Sequence, residues 1–189
     1  MLLTSAFLMK LPLPLYPIQI LWINLVTEGV QDKTFAFNRE EKNLMEEKPR
    51  KPEKTFFDKK QLFDIVFTAF FMGGINFLLF MYLLKIMSYE EAVTITFTSL
   101  IVNQWFNGFQ AIRVEPFFKD IKKSFTVNPY MYLGVSIGAV LQLSAIYMFP
   151  HWIHAVPMSI EDWKYIFLTC IILFGIIESK KWIEYFLRK

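Results

Sequence analysis

Apolar residues in this chain come in blocks rather than stripes. Mostly apolar stretches at 15–37, 62–84, 92–112, 130–149 and 163–183 alternate with short polar segments. A helix of about 20 residues rises about 30 Å, the thickness of a bilayer's hydrocarbon core. Each stretch is therefore predicted to be a membrane-crossing helix. Residues 1–9 read as the end of one more helix. It is cut off from the first full span by Lys10-Leu-Pro-Leu-Pro-Leu-Tyr-Pro17, whose three prolines exclude a helix interior. No strand-like alternation, internal repeat or low-complexity tract stands out. The expectation is an all-α polytopic transmembrane bundle, a single domain over 1–189 with about five full spans and a partial N-terminal helix.

Composition sharpens this. The chain is 54% hydrophobic and 18% aromatic with 21 Phe, and its mean hydropathy is +0.36, too apolar for an ordinary soluble domain. The net charge of +3 matters less than its placement. The 38–61 segment holds Arg39, Lys42, Lys48, Arg50, Lys51, Lys54, Lys59 and Lys60, and the 113–128 segment holds Arg113, Lys119, Lys122 and Lys123. The tail adds Lys180, Lys181, Arg188 and Lys189, whereas the intervening segments hold essentially Lys10, Lys85 and Lys164. Basic residues concentrate on the cytoplasmic side of membrane proteins, so both basic loops and the C-terminus are expected there. An odd number of spans then places the N-terminus outside, as for a piece of a longer polypeptide. Trp152 and Trp163 on one side, and Tyr130, Tyr132 and Trp182 on the other, suit interfacial belts. The single Cys170 cannot form an internal disulfide. The apolar start lacks the basic flank of a cleavable signal. The Phe-, Ile- and Lys-rich usage suggests a bacterial inner (plasma) membrane, with the lipid bilayer as a partner and no nucleic acid.

One feature of the first stretch carries chemistry. Glu28 lies inside Ile18-Gln-Ile-Leu-Trp-Ile-Asn-Leu-Val-Thr-Glu-Gly-Val30. An acid at a membrane helix centre costs roughly 2.5–3.5 kcal/mol on insertion scales, so it is expected to face a protein interior or an ion path. Asn24, Thr27 and Glu28 stand at i, i+3 and i+4, on one expected helix face. Together they offer an amide, a hydroxyl and a carboxylate oxygen, hard ligands suited to Na⁺, K⁺, Ca²⁺ or Mg²⁺. Gly29 would let the helix loosen and free backbone carbonyls. The bland alternative is that Glu28 serves packing through a buried lysine or a neighbour. Asp32 could line an entry path or simply pair with Lys33. In the third stretch Gln104 and Asn107 could add oxygens or make ordinary interhelical hydrogen bonds. Gly73, Gly74 and Asn76 read as close helix packing, Asp64 as interfacial, and His151 and His154 as a solvated turn. Asp32-Lys33-Thr34 begins like a phosphorylation motif, but Phe35-Ala36 follow it and no phosphate-binding loop surrounds it, so no catalytic residue is expected.

Pro17-Ile-Gln-Ile-Leu-Trp-Ile-Asn-Leu-Val-Thr-Glu-Gly29, with Phe37-Asn38, Asn43-Leu-Met45 and Pro49-Arg50, resembles the sixth membrane helix and following loop of P2-type cation-transporting ATPases. The resemblance runs from the end of helix five through helix ten and is calcium-pump-like. It implies that Asn24, Thr27 and Glu28 contact the transported cation, Ca²⁺ foremost, and that Gln104 sits near a supporting helix-eight ligand. It also implies partners: helices one to five and the actuator, nucleotide and phosphorylation domains, through which Mg-ATP would act. By itself the chain would not hydrolyse ATP. Glu28 stands where the family has Asp, one methylene longer or about 1.5 Å, and the usual Pro after Gly29 is missing. A different class of reading also stands: a free-standing, non-enzymatic membrane protein, an accessory subunit or passive ion carrier.

Overall fold

A computed structural model of the chain describes residues 1–38 and 59–187. The basic positions expected at 39–54, the Asn43–Met45 and Pro49-Arg50 pieces of the motif, and Arg188 and Lys189 lie outside the described residues. Among the described residues all regular structure is helical. The α-helices are α1 (Leu2–Leu8), α2 (Pro17–Val26), α3 (Lys59–Leu83), α4 (Tyr89–Ala111), α5 (Ile121–Thr126), α6 (Tyr130–Tyr147) and α7 (Trp163–Leu187).

Local chemistry sets the helix ends. Pro17 opens α2, where its missing N–H costs nothing and its fixed φ suits the first turn. Gln19 reaches back, its Oε1 accepting from the Tyr16 backbone N–H at 3.0 Å. At α4, Ser88 and Glu91 form a reciprocal cap: the Glu91 N–H donates to Ser88 Oγ, and the Ser88 N–H donates to the Glu91 carboxylate. Asp120 caps α5 by accepting from the Lys123 N–H at 2.9 Å. His154, in the left-handed region at φ 50°, ends a short 3-10 turn, Pro150–Ile153.

α4 is the hub. Every residue from Ala92 to Asn103 is buried. A helix buried on all sides must be enclosed by others, and α2, α3, α6 and α7 all pack on it. The outer faces stay apolar: Phe63, Val66 and Phe70 on α3, Leu133 and Val140 on α6, and Leu168 and Ile171 on α7 are all exposed. So much outward apolar surface needs a partner or a lipid solvent.

Among the described residues, α3 and α6 are long and apolar enough to cross a membrane. The other expected spans are helical but differ in build. Thr94, Thr96, Thr98, Ser99 and Asn103 dilute α4, and Lys164, Glu178, Lys180 and Lys181 charge α7. The stretch expected as one helix over 15–37 divides into three kinds of helix, described next.

Candidate cation path at a helix break

α2 stops at Val26 and the chain continues as a π-helical turn, Thr27–Gln31, then a 3-10 helix, Asp32–Phe37. In the π turn the Asp32 N–H reaches back to the Thr27 carbonyl, five residues earlier. Such wide turns recur at functional sites because they shift carbonyls off the regular ladder. The loosening falls on Glu28-Gly29, without the proline the family pattern would supply.

Neighbouring helices hold the break. The Gln31 side chain is buried, and its Nε2 donates to the Trp105 carbonyl of α4 at 3.2 Å. Two glycines make room for it. A Cβ on Gly108 would stand 2.2 Å from Gln31 Nε2, and one on Gly134 of α6 would stand 2.7 Å from Thr34 Cγ2. Asn128 closes the C-terminal end of the break, its Nδ2 donating to the Thr34 carbonyl at 2.8 Å and to Asn38 Oδ1 at 2.6 Å. Above the break, Trp22 Nε1 donates to Gln142 Oε1 at 2.9 Å, and Gln142 Nε2 donates to Thr98 Oγ1 at 3.2 Å.

The three expected ligands do not share one face. Thr27 is buried and its hydroxyl donates to the Ile23 carbonyl at 2.8 Å. Asn24 and Glu28 are exposed, side by side along the helix. The reason is angular: at 3.6 residues per turn Glu28 lies about 40° from Asn24, but Thr27 lies about 100° from Glu28. The acid expected to face a protein interior thus stands open, with Asn24, on the outer side of the break. Among the described residues its carboxylate accepts no hydrogen bond and joins no ion pair, so the lysine-paired alternative is not what this structure shows. Asp32 is exposed as well. Gln104 and Asn107 are half-buried on α4. Gln31 ties their stretch of α4 to the π turn, but neither side chain comes within hydrogen-bond reach of Asn24 or Glu28. His151 and His154 are exposed, and among the described residues no three His, Cys, Asp or Glu side chains cluster as a metal site would need.

Other polar residues are engaged deeper in the bundle. Ser99 and Thr169 hydroxyls share a 2.8 Å hydrogen bond between α4 and α7, and Asn103 Nδ2 donates to both at 3.3 Å. Asn103 Oδ1 is buried and accepts no hydrogen bond among the described residues. Glu178 of α7 is buried and accepts from the backbone N–H groups of Phe117 and Phe118 at 3.0 and 3.1 Å. Sequence reasoning passed over Glu178, although an acid within an apolar stretch is the signal that drew attention to Glu28. Asp64 pairs with Lys180. In the connection after α4, the hydrogen bond from Lys119 holds the Glu115 carboxyl below its ordinary range, with Arg113 and Lys123 adding to the effect.

Residues 12–183 match the family described as cation transporting ATPase, C-terminus. This chain belongs to that family. A calcium-transporting ATPase of Bacillus subtilis (strain 168) is 31% identical over 166 residues, covering 84% of this chain and 18% of that protein. The calcium-transporting ATPase type 2C member 2 of Homo sapiens is 27% identical over 156 residues, 79% of this chain and 16% of that protein. A probable calcium-transporting ATPase of Trypanosoma brucei brucei is 43% identical over 47 residues, 25% of this chain and 5% of that protein. The chain therefore spans about a fifth or less of the length of these relatives.

Proposed function

We propose that this chain is the membrane-embedded C-terminal part of an ATP-driven P-type cation pump, with Ca²⁺ as the favoured cargo. Membership of the cation-transporting ATPase C-terminus family supports the pump, and the calcium-transporting relatives support the cargo. In this reading the five apolar stretches cross the membrane, the C-terminus is cytoplasmic, and the setting is a bacterial plasma membrane. Asn24 and Glu28 meet the cation; Thr27 and Gln104, which do not share their edge here, join them when the pump's motion changes the break, and Asp32 and Asn107 flank its route.

The observation that carries the reading is the exposed Asn24–Glu28 edge at a π-helical break in an apolar helix. An acid left open there is costly against lipid but useful against a cation or another part of a pump. Ca²⁺ takes about 6–8 oxygens. The oxygens facing Glu28 would come from other membrane helices of the pump. The actuator, nucleotide and phosphorylation domains would supply the energy of Mg-ATP. Their motion would alter the geometry of the broken segment, whose π turn and 3-10 helix are of the kind that marks hinges and functional sites. The chain alone would bind and position cations without hydrolysing ATP.

The test is Glu28→Gln in the full-length pump. Cation-dependent phosphorylation by ATP should be lost, because an amide keeps the size and removes the charge. Unchanged cation affinity in that variant would overturn the assignment.

A further inference from the structure

Between α3 and α7 lies an apolar groove of about 580 Å³. Phe63 and Phe67 wall it on one side, and Ile172, Gly175, Ile176 and Ile183 on the other. Gly175 opens it: a Cβ there would meet nothing within 4 Å. One end is apolar and the other is charged. At the charged end Lys180 pairs with Asp64 and lies 3.7 Å from Glu184, and Lys60 pairs with Glu184 at 2.6 Å. The Lys180 ammonium also sits 4.8 Å from the centre of the Phe67 ring.

We infer that this groove is a binding site for a single phospholipid with an ethanolamine headgroup. The inference rests on the chain being embedded in a membrane. Three observations select the occupant. Along α7 the groove runs from Ile171 to Glu184, about 20 Å at 1.5 Å per residue. That suits an acyl chain of one leaflet, whose hydrocarbon half is about 15 Å thick, whereas a partner helix would continue through both leaflets. Among the described residues the ion pairs at the mouth join two ammoniums and two carboxylates, a balance that favours a zwitterion over an anionic lipid. A primary ammonium has N–H donors for Asp64 and Glu184, and choline has none. The phosphate would lie against Lys60 and Lys180, and the acyl chain against the phenylalanines and isoleucines.

The full chain, extracted from membranes and placed in bilayer discs holding equal phosphatidylethanolamine, phosphatidylcholine and phosphatidylglycerol, is released into detergent and its retained lipids are counted by native mass spectrometry. Phosphatidylethanolamine should be retained over each of the others by about threefold or more, the scale of one added net hydrogen bond. Gly175→Leu should fill the groove and erase that preference. Ser179→Leu, on the same wall, should do the same if Gly175→Leu fails to fold. Val140→Leu, at an exposed position on α6 that does not line the groove, should leave it intact. Asp64→Asn should keep a bound lipid and lose the distinction between ethanolamine and choline. Equal retention of all three lipids, or a preference that survives both groove-filling variants, overturns the inference and leaves the pump reading standing. A chain recovered in the aqueous fraction overturns both.

Discussion

Two acids, Glu28 and Glu178, sit in apolar stretches of the same bundle and meet opposite fates. Glu178 is turned inward, where two backbone N–H groups of the Phe117–Lys119 3-10 turn take its carboxylate. Glu28 is turned outward at the break after α2 and accepts no hydrogen bond among the described residues. The first acid does a structural job, satisfying donors that a tight turn leaves unpaired. The second is left open by the fold, and an open acid is one that something else can use. The same contrast separates the α4–α7 interface, where Ser99, Asn103 and Thr169 bond one another, from the Asn24–Glu28 edge.

The sharpest break of this comparison is Glu178→Ala set beside Glu28→Gln. Losing the Glu178 carboxylate strands the Phe117 and Phe118 N–H groups and should destabilise by about 1–3 kcal/mol for each group left buried. Thermal unfolding in detergent should show a clear fall. Next comes Gly134→Leu, which drives a side chain into Thr34 where even a Cβ stands 2.7 Å away. Overpacking of this kind should cost about 1–3 kcal/mol, and the loss should concentrate at the break, read as faster hydrogen exchange of residues 27–35. Asn103→Ala removes the bonds to Ser99 and Thr169 and should cost only about 0.6 kcal/mol, the average for a membrane interhelical hydrogen bond. Glu28→Gln itself should change stability by less than about 0.5 kcal/mol, as for a surface change without a partner. If unfolding shows Glu28→Gln to be as damaging as Glu178→Ala, the two acids are not different in kind.

The smallest expected effect concerns pH. Glu115's carboxyl is lowered by its hydrogen bond from Lys119, so the folded chain holds the ionised form better than the unfolded chain does. That contribution is full above the unfolded carboxylate range and fades as pH falls through the lowered folded value. Lys119→Gln should move the Glu115 titration, followed by carboxyl NMR, back up toward its ordinary range. The stability change should be slight, since the pair is exposed.

Much of this was legible in the chain and some was not. The apolar blocks announced helices, and the helical segments lie where those blocks lie. The Glu28-Gly29 position marked the place where α2 gives way to a π turn. The shared face of Asn24, Thr27 and Glu28 did not survive, because Thr27 turns inward to its own Ile23 carbonyl. Gln31 belongs to no motif in the sequence, yet it is the side chain that pins the break to α4. Its role depends on Gly108 and Gly134, more than 70 residues away, and no local pattern announces such a fit.

The sequence by itself determined that this chain is helical and where its apolar lengths begin and end. Helix formation is a matter of neighbours three and four residues apart, and burial in an apolar solvent needs only length and composition. Only the tertiary structure decided which polar groups are consumed and which stay open. Glu178 finds its donors about 60 residues back and Gln31 its acceptor 74 residues on. A hydrogen bond works over about 3 Å, so a polar residue's fate is settled only when packing brings, or fails to bring, a partner within that reach.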